Sequence, residues 1–169
     1  HNLLHRDIKP GNILFNSDVP PEPKLIDFGL AREAETDEDV SNESSVWGTP
    51  YYVAPEKIKR EREDFLSDLY SLGGTLYHAL TGHVPFAAPT VEDLVAAHVH
   101  TPPTPPNQVV RGISQATSDA LVIAMAKEPA GRFQSYDELI IALTAARSSI
   151  IVNQLNQPAK GTKKSWWSR

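Results

Sequence analysis

The chain contains no cysteine, and its 169 residues include one methionine. The absence of cysteine excludes a disulfide scaffold and any metal site built on thiolates, and it fits a reducing compartment. No apolar run approaches the roughly 18 residues that a membrane span requires. Positive charge is also scarce, because 16 Lys and Arg are set against 21 Asp and Glu, which gives a net charge of −5. We therefore expect no nucleic acid among its partners.

Polar residues are concentrated in one short stretch, residues 5–12, which read HRDIKPGN. The apolar residues 13–15 follow at once, and this pattern predicts a buried strand with polar side chains at its mouth. Asp7 can accept a proton, Lys9 can bind a phosphate, and Asn12 can hold a metal through its carbonyl oxygen. Such a combination favours a functional site over an ordinary solvated loop.

A second acid stands at the end of another short apolar run. Residues 24–29 read KLIDFG, so that Asp27 follows a predicted strand at 24–26. We expect this strand to form a hairpin with residues 13–15, since the Asn, Ser, Asp and Pro residues between them favour turns. Two strand ends that carry two Asp and one Asn predict a place for magnesium and a phosphoryl group.

Three motifs occur in order along the chain: HRDIKPGN at 5–12, DFG at 27–29 and APE at 54–56. Together they resemble the catalytic loop, the metal motif and the end of the activation segment of protein kinases. The resemblance is to Ser/Thr kinases of the eukaryotic-like type, which include bacterial members. It implies a mainly α (α+β) fold for residues 1–150, namely the helical carboxyl-terminal lobe of a kinase domain with a small catalytic-loop hairpin.

The resemblance implies a reaction in which the γ-phosphoryl group of ATP passes to a Ser or Thr hydroxyl of a protein substrate, with Mg²⁺ present. It implies that Asp7 orients or deprotonates the hydroxyl and that Lys9 steadies the transferring phosphate. Asn12 and Asp27 would hold magnesium. Leu14 would lie under the adenine ring, although a plain core position is an equally good interpretation of this residue.

The segment 33–45 carries six acidic residues and no Lys or Arg. Its composition is typical of a solvated loop, and the resemblance makes it an activation loop. Arg6 would receive a phosphate placed on that loop. The acids would repel such a phosphate, or one of them could partly neutralise Arg6. The candidate phosphorylation sites are Thr36, Ser41, Ser44 and Ser45.

Four further residues take roles from the resemblance. Thr49 would reach the catalytic residues and help to seat the hydroxyl substrate. Glu56 would form an ion pair with Arg132, which we expect to be buried. Asp68 would brace the backbone of the catalytic loop, with a charge at the start of a helix as the alternative.

Helices are predicted over 67–81, 90–98, 114–127 and 135–147. The first is apolar nearly all round and should be buried, with close packing as the reason for Gly73 and Gly74. Capping-box patterns open the second and the fourth at Thr90 and Ser135. Residues 151–169 end in Lys and Trp, which predicts a disordered tail or a segment beside a membrane. A membrane span would then follow residue 169, with the kinase domain in the cytoplasm.

The first half of the kinase motif set does not occur in this chain: there is no Gly-rich phosphate loop and no strand Lys with its helix Glu. Since residue 1 is not methionine, we expect the chain to begin inside a longer protein, with its amino-terminal lobe missing here. The isolated chain should then be inactive. Two other functions stay open, a catalytically inactive kinase-like binding module and a small-molecule phosphotransferase, and the APE segment disfavours the latter.

Overall fold

A computed structural model describes residues 3–33 and 50–156. The strands are β1 Leu3–Leu4, β2 Ile13–Phe15, β3 Pro23–Leu25 and β4 Arg32–Glu33. The helices are α1 Pro55–Ile58, α2 Phe65–Thr81, α3 Val91–His100, α4 Pro106–Val109, α5 Gln115–Ala124 and α6 Tyr136–Asn156. Single 3₁₀ turns lie at Pro10–Asn12 and Pro129–Gly131. The mainly helical fold with small β elements is confirmed, whereas its assignment to one lobe of a kinase stays a prediction.

The strands form two separate two-stranded antiparallel sheets. The predicted hairpin is present as β2 and β3, in which Ile13 lies opposite Leu25. The second sheet, in which β1 pairs with β4, was not predicted because two-residue strands carry no readable period. The loop 5–12 therefore runs from one small sheet to the other.

The prediction of a buried strand at residues 13–15 was wrong. Leu14 is 54% exposed and Phe15 is 66% exposed. The side chains of a two-stranded hairpin are buried only where another element packs on them, and the described residues leave these two in contact with solvent. The plain-core interpretation of Leu14 therefore fails.

Helix α2 is the central element of the helical part. It begins two residues before the predicted start, because the Asp64 carboxylate accepts a hydrogen bond from the Leu66 N–H (2.8 Å) and caps the helix. Gly82 ends it in the left-handed conformation (φ +74°). Most of the helix is buried, as predicted. A Cβ on Gly73 would lie 3.0 Å from the Cβ of Ala124 in α5, which explains why the smallest residue stands there.

The core has two parts, and α2 contributes residues to both. The first consists of Ala54, Tyr70, Tyr77, Phe86, Leu94, Leu121 and Met125. The second consists of Leu69, Ala124 and Leu139. Residues of α5 or its carboxyl end also belong to both parts, and α2 holds the loop 5–12 through Asp68 and Thr75.

The starts of the other long helices were predicted well, and their ends less well. The side chains of Thr90, Ser114 and Ser135 accept hydrogen bonds from the backbone N–H three residues on, as helix caps do. Helix α3 ends two residues later than predicted and α5 ends three residues earlier.

Helix α6 continues to Asn156 and does not stop at residue 147. Its last turns lack an amphipathic pattern, but no Gly or Pro interrupts them before Pro158. The first six residues of the predicted tail are therefore helical, and residues 157–169 lie outside the described residues. No helix of the described segments combines the length and the apolar character needed to cross a bilayer.

Candidate functional site

The loop 5–12 is fixed from below by Asp68 in the first turn of α2. Its carboxylate accepts hydrogen bonds from the backbone N–H of His5 (2.6 Å) and of Arg6 (2.8 Å). Burial raises the pKa of Asp68, and these two hydrogen bonds oppose that shift without cancelling it. The structure thus contains the bracing contact that was expected, and its carboxylate is also placed near the amino end of the helix.

Asp7 lies where the loop turns towards β2. Its Oδ2 atom accepts hydrogen bonds from Lys9 Nζ (2.7 Å) and from Asn12 Nδ2 (2.9 Å). The same Asn12 amide also donates to the Asp7 carbonyl oxygen (2.8 Å). The Asp7 carboxylate is 28% exposed, so it is held firmly while still open to an incoming group. The structure therefore brings together three of the four predicted catalytic residues.

Asp27 stands two residues after β3, in a segment that is hydrogen-bonded to the same loop. The Ile26 N–H donates to the Asn12 carbonyl oxygen (2.9 Å), which ties the two strand ends together. The His5 ring supports this junction, because its Nε2 lies 3.1 Å from the Ile26 carbonyl oxygen and its edge meets the Phe28 ring at a centroid distance of 4.8 Å. Asp27 itself adopts the left-handed conformation (φ +64°), which turns the chain sharply after the strand.

The oxygen atoms of Asn12 and Asp27 suit Mg²⁺, which keeps waters and substrate phosphates among its ligands, better than a metal ion that is held by protein side chains alone. Within residues 3–33 and 50–156, no three His, Asp or Glu side chains are grouped closely enough to hold an ion by themselves. Mg²⁺ is commonly bound by one or two protein oxygens together with waters and substrate phosphates. Both N–H donors of Asn12 point to Asp7, so that the Asn12 amide oxygen is left available to a metal ion.

Arg6 has a partner that the sequence did not reveal. Its Nη2 and Nε atoms donate to one oxygen of Glu63, at 2.8 and 3.2 Å. The two side chains are 11% and 14% exposed. Residues 57–64 mix acidic and basic side chains, and no period in that run distinguishes the acid that reaches Arg6.

Glu56 and Arg132 form the buried ion pair that was expected. The guanidinium donates to both carboxylate oxygens, at 2.7 and 2.8 Å, and the two side chains are at most 4% exposed. Ser67 also donates to the carboxylate (2.6 Å). Burial alone would raise the pKa of Glu56. The hydrogen bonds and positive charge of Arg132, together with the hydrogen bond from Ser67, outweigh burial and hold that pKa below its usual range. The start of α1 is thereby anchored to the far end of the sequence.

The remaining predicted residues divide into two groups. Leu14 lies on the exposed face of the hairpin that follows the loop. Thr49 and the four candidate phosphorylation sites, Thr36, Ser41, Ser44 and Ser45, lie outside the described residues.

Comparison with known proteins supports the kinase resemblance over nearly the whole chain. The profile of the family described as "Protein kinase domain" matches residues 1–139. The serine/threonine-protein kinase PknB of Mycobacterium leprae is 34% identical over 163 residues, which cover 96% of this chain and 25% of that protein. PknB of Mycobacterium tuberculosis is 38% identical over 141 residues, covering 82% of this chain and 22% of the relative. PknJ of Mycobacterium bovis is 40% identical over 148 residues, 85% of this chain and 25% of the relative.

The chain thus spans about a quarter of the length of these curated relatives. Within that span lie the braced loop, the paired strand ends and the buried ion pair, at the positions where the three sequence motifs occur. Enzymes of this family generally use ATP and Mg²⁺. The chain therefore belongs to the protein kinase family, among its serine/threonine kinases.

Proposed function

We propose that this chain supplies the catalytic loop for transfer of the γ-phosphoryl group of ATP to Ser or Thr hydroxyls of protein substrates. The observation that supports this most directly is the Asp7 carboxylate, held by Lys9 (2.7 Å) and Asn12 (2.9 Å) and still partly exposed. The strand end that carries Asp27 is hydrogen-bonded to the same loop, so that a proton acceptor, a cation and metal ligands come from one small region.

The arrangement suits a reaction that depends on positioning and electrostatics more than on covalent chemistry. Asp7 accepts a hydrogen bond from the substrate hydroxyl and orients it. Asp7 takes the hydroxyl proton as the hydroxyl oxygen bonds to the γ-phosphorus, while the bond from that phosphorus to the β–γ bridging oxygen breaks and ADP leaves. The Lys9 ammonium lies against the same carboxylate oxygen, where it meets the negative charge of the transferring group. Magnesium, when bound at Asn12 and Asp27, supplies positive charge beside the phosphate oxygens.

Asn12 has a second task, which is to set the direction of Asp7. It is 5% exposed and uses both amide hydrogens on the Asp7 residue. A carboxylate held in this way loses little orientational freedom when the substrate arrives, which lowers the entropic part of the barrier.

We also propose that an amino-terminal lobe covers the apolar face beside this site. Leu14 and Phe28 lie there, and each is more than half exposed. Exposed apolar side chains beside a polar site favour an interaction surface. The lobe would supply the remaining contacts to adenine and phosphates, so the chain alone is inactive in this proposal.

The place of action in this proposal is the cytoplasm, which supplies ATP and suits a chain without cysteine. Four of the 16 basic residues, and none of the acidic ones, fall within residues 157–169, together with two of the three Trp. That composition supports attachment to an anionic membrane surface near the end of the chain, by sequence beyond residue 169.

Substitution of Asp7 tests the proposed function. In a kinase that combines this chain with an amino-terminal lobe, Asp7→Asn should lower phosphoryl transfer to a protein substrate by at least ~10²-fold while ATP binding persists. Asp119→Asn, an exposed change in α5, is the matched control and should leave the rate unchanged. Turnover close to normal in Asp7→Asn would contradict the role of Asp7. Transfer to small hydroxyl compounds but not to proteins would favour a small-molecule phosphotransferase.

A further inference from the structure

Helix α6 is apolar on two opposite sides, and the described residues of the chain cover only one of them. Leu139 and Leu143 pack with Leu69 of α2 and Ala124 of α5 in the second part of the core. The opposite side carries five exposed apolar residues, Ile140, Ile141, Ile151, Val152 and Leu155. A helix that is apolar all round is normally buried all round. The uncovered side of α6 therefore indicates a contact with a partner.

The exposed residues recur at spacings of three and four, so that they form one stripe along the helix. We call this stripe the outer face of α6; it consists of Ile140, Ile141, Thr144, Ser148, Ile151, Val152 and Leu155. The Ser148 hydroxyl donates to the Thr144 carbonyl oxygen (2.9 Å), so this hydroxyl already has a hydrogen-bond partner within the helix. Arg147 is the one charged residue of the sequence 139–156. The outer face can therefore leave water without burying a carboxylate.

The charge of the sequence changes sign at this helix. Glu138 is the last acidic residue, so residues 1–138 hold all 21 acidic residues but only 11 of the 16 basic ones. Residues 139–169 hold the other five basic residues, together with two of the three Trp. An apolar helix face accompanied by basic residues and Trp, without acids, is typical of segments that lie on a membrane of anionic lipids.

A second copy of the chain fits the outer face less well. If two copies of α6 met there, the basic residues of both copies would approach each other with no acidic residue of 139–169 to balance them. Paired helices usually place charges of opposite sign beside their apolar seam. The headgroups of anionic lipids supply the negative charge that a second copy of this segment lacks.

We propose that the outer face of α6 lies on the surface of an anionic lipid bilayer, with its apolar side chains at the boundary between headgroups and acyl chains. This inference rests on the membrane attachment proposed above and deepens it, because it assigns the contact to a helix within the chain. The inner side of α6 stays packed on α2 and α5, so the helix lies along the surface. The contact is reversible and needs no segment that crosses the bilayer.

Sedimentation of the 169-residue chain with lipid vesicles tests the proposal. The chain should bind vesicles of equimolar phosphatidylserine and phosphatidylcholine at least about tenfold more strongly than vesicles of phosphatidylcholine alone, and added salt should weaken the binding. Leu155→Asn should lower the partition coefficient about tenfold, because a large apolar side chain no longer enters the bilayer. Leu80→Asn makes the same change at an exposed residue of α2 and is the matched control, which should bind like the wild type.

A fluorescent label reports on the outer face itself. Because the chain has no cysteine, Val152→Cys provides a unique attachment point for a fluorophore that responds to the polarity of its surroundings. Its emission should shift to shorter wavelength when phosphatidylserine-containing vesicles are added. The same label on Leu80→Cys should show no shift.

The inference is overturned if the wild type does not bind the anionic vesicles, if it binds phosphatidylcholine alone equally well, or if Leu155→Asn binds as the wild type does. An equal fall in Leu80→Asn would also count against it. A label at residue 152 that shifts with rising protein concentration before lipid is added would show that a second copy covers the face, which overturns the proposal as well.

These measurements are independent of the proposed kinase activity. Binding to vesicles requires no phosphoryl transfer, so a failure here leaves the role of Asp7 standing, and normal turnover in Asp7→Asn would leave the vesicle results unchanged. Circular dichroism checks the fold of each variant. If Leu155→Asn does not fold, the labelled Val152→Cys chain, which keeps Leu155, decides the question.

Discussion

His98 is fully buried between α2 and the loop after α5, which is an unusual place for an ionisable side chain. Its Nδ1 lies 3.0 Å from the Tyr70 hydroxyl, and the backbone of Tyr51 lies near enough to the ring to favour its protonated form. The Lys127 ammonium donates to the His98 carbonyl oxygen (2.7 Å) and lies over the Phe86 ring. Burial and the charge of Lys127 lower the pKa of His98 to about 4.

This lowered pKa predicts a loss of stability in mild acid. The unfolded chain takes up a proton at His98 near pH 6.5, while the folded chain resists it until about pH 4. The stabilisation is therefore complete above pH 6.5 and is lost as the pH falls towards 4, by about 3 kcal/mol in total. Urea unfolding between pH 7 and 4 measures it.

His98→Phe should make the free energy of unfolding less dependent on pH over that range. His83→Gln, a change at an exposed histidine, should leave the wild-type dependence intact. Carboxylates such as Glu56, whose pKa is lowered in the fold, lose their contribution at more acidic pH in all three proteins. Equal slopes in His98→Phe and wild type would show that His98 is not the titrating group.

The site residues differ in how far the sequence could predict them. Asp7 and Asn12 belong to one motif and Asp27 follows the next strand of the hairpin, so that the joining of these two chain segments was predictable. The contact between Glu63 and Arg6 was not predictable, because it depends on how the segment after α1 folds back over the loop. No local period in the sequence encodes that path of the chain. The exposure of Leu14 was missed for a related reason: an apolar run shows that a side chain can be buried, but not which element covers it.

At the scale of elements, side-chain caps made the starts of helices predictable. Thr90, Ser114 and Ser135 each satisfy a backbone N–H that would otherwise be unpaired, and the helix begins directly after them. Helix ends were harder, since α6 continues past residue 147 without any stop signal until Pro158. The start of α2 was misplaced because Asp64 stands in a run of charged residues, where a cap is hard to distinguish from a solvated side chain.

The contact between α2 and α5 predicts opposite effects for two adjacent glycines. A Cβ on Gly73 would lie 3.0 Å from both Ala124 Cβ and Met125 Cγ, so Gly73→Ala should destabilise the protein by about 1–3 kcal/mol through overpacking. A Cβ on Gly74 would have its nearest neighbours at 3.6 Å, an ordinary contact. Gly74→Ala should therefore be neutral or stabilising by up to about 1 kcal/mol, because alanine favours the helix.

Thermal or urea unfolding of the two variants gives the comparison directly. Each serves as the control for the other, since both make the same chemical change in the same helix. A stable Gly73→Ala would mean that α5 moves aside at little cost, and that close packing is not what the glycine provides.

At the scale of the whole molecule, the exposed apolar face lies beside the polar loop. Leu14 and Phe28 are both more than half exposed, yet they flank the strand ends that carry Asn12 and Asp27. A nucleotide whose phosphates reached those two residues would have its base near this face. Residues 3–33 and 50–156 would then contact the base on one side only.

We therefore predict that the 169-residue chain binds Mg-ATP weakly and transfers no phosphoryl group to a generic protein substrate. The contacts to adenine and to the α- and β-phosphates that kinases take from their amino-terminal lobe are absent from this sequence. Each charged hydrogen bond contributes roughly 1.5–3 kcal/mol, so the loss of two or three of them weakens binding by two orders of magnitude or more, about the step from micromolar towards millimolar. Calorimetric titration of the chain with Mg-ATP measures this, with the two-lobed kinase as the positive control and its Asp27→Asn variant as the control for metal-dependent binding. Micromolar affinity of the isolated chain, together with phosphorylation of the substrate, would show that its own residues suffice and that the exposed face needs no second lobe.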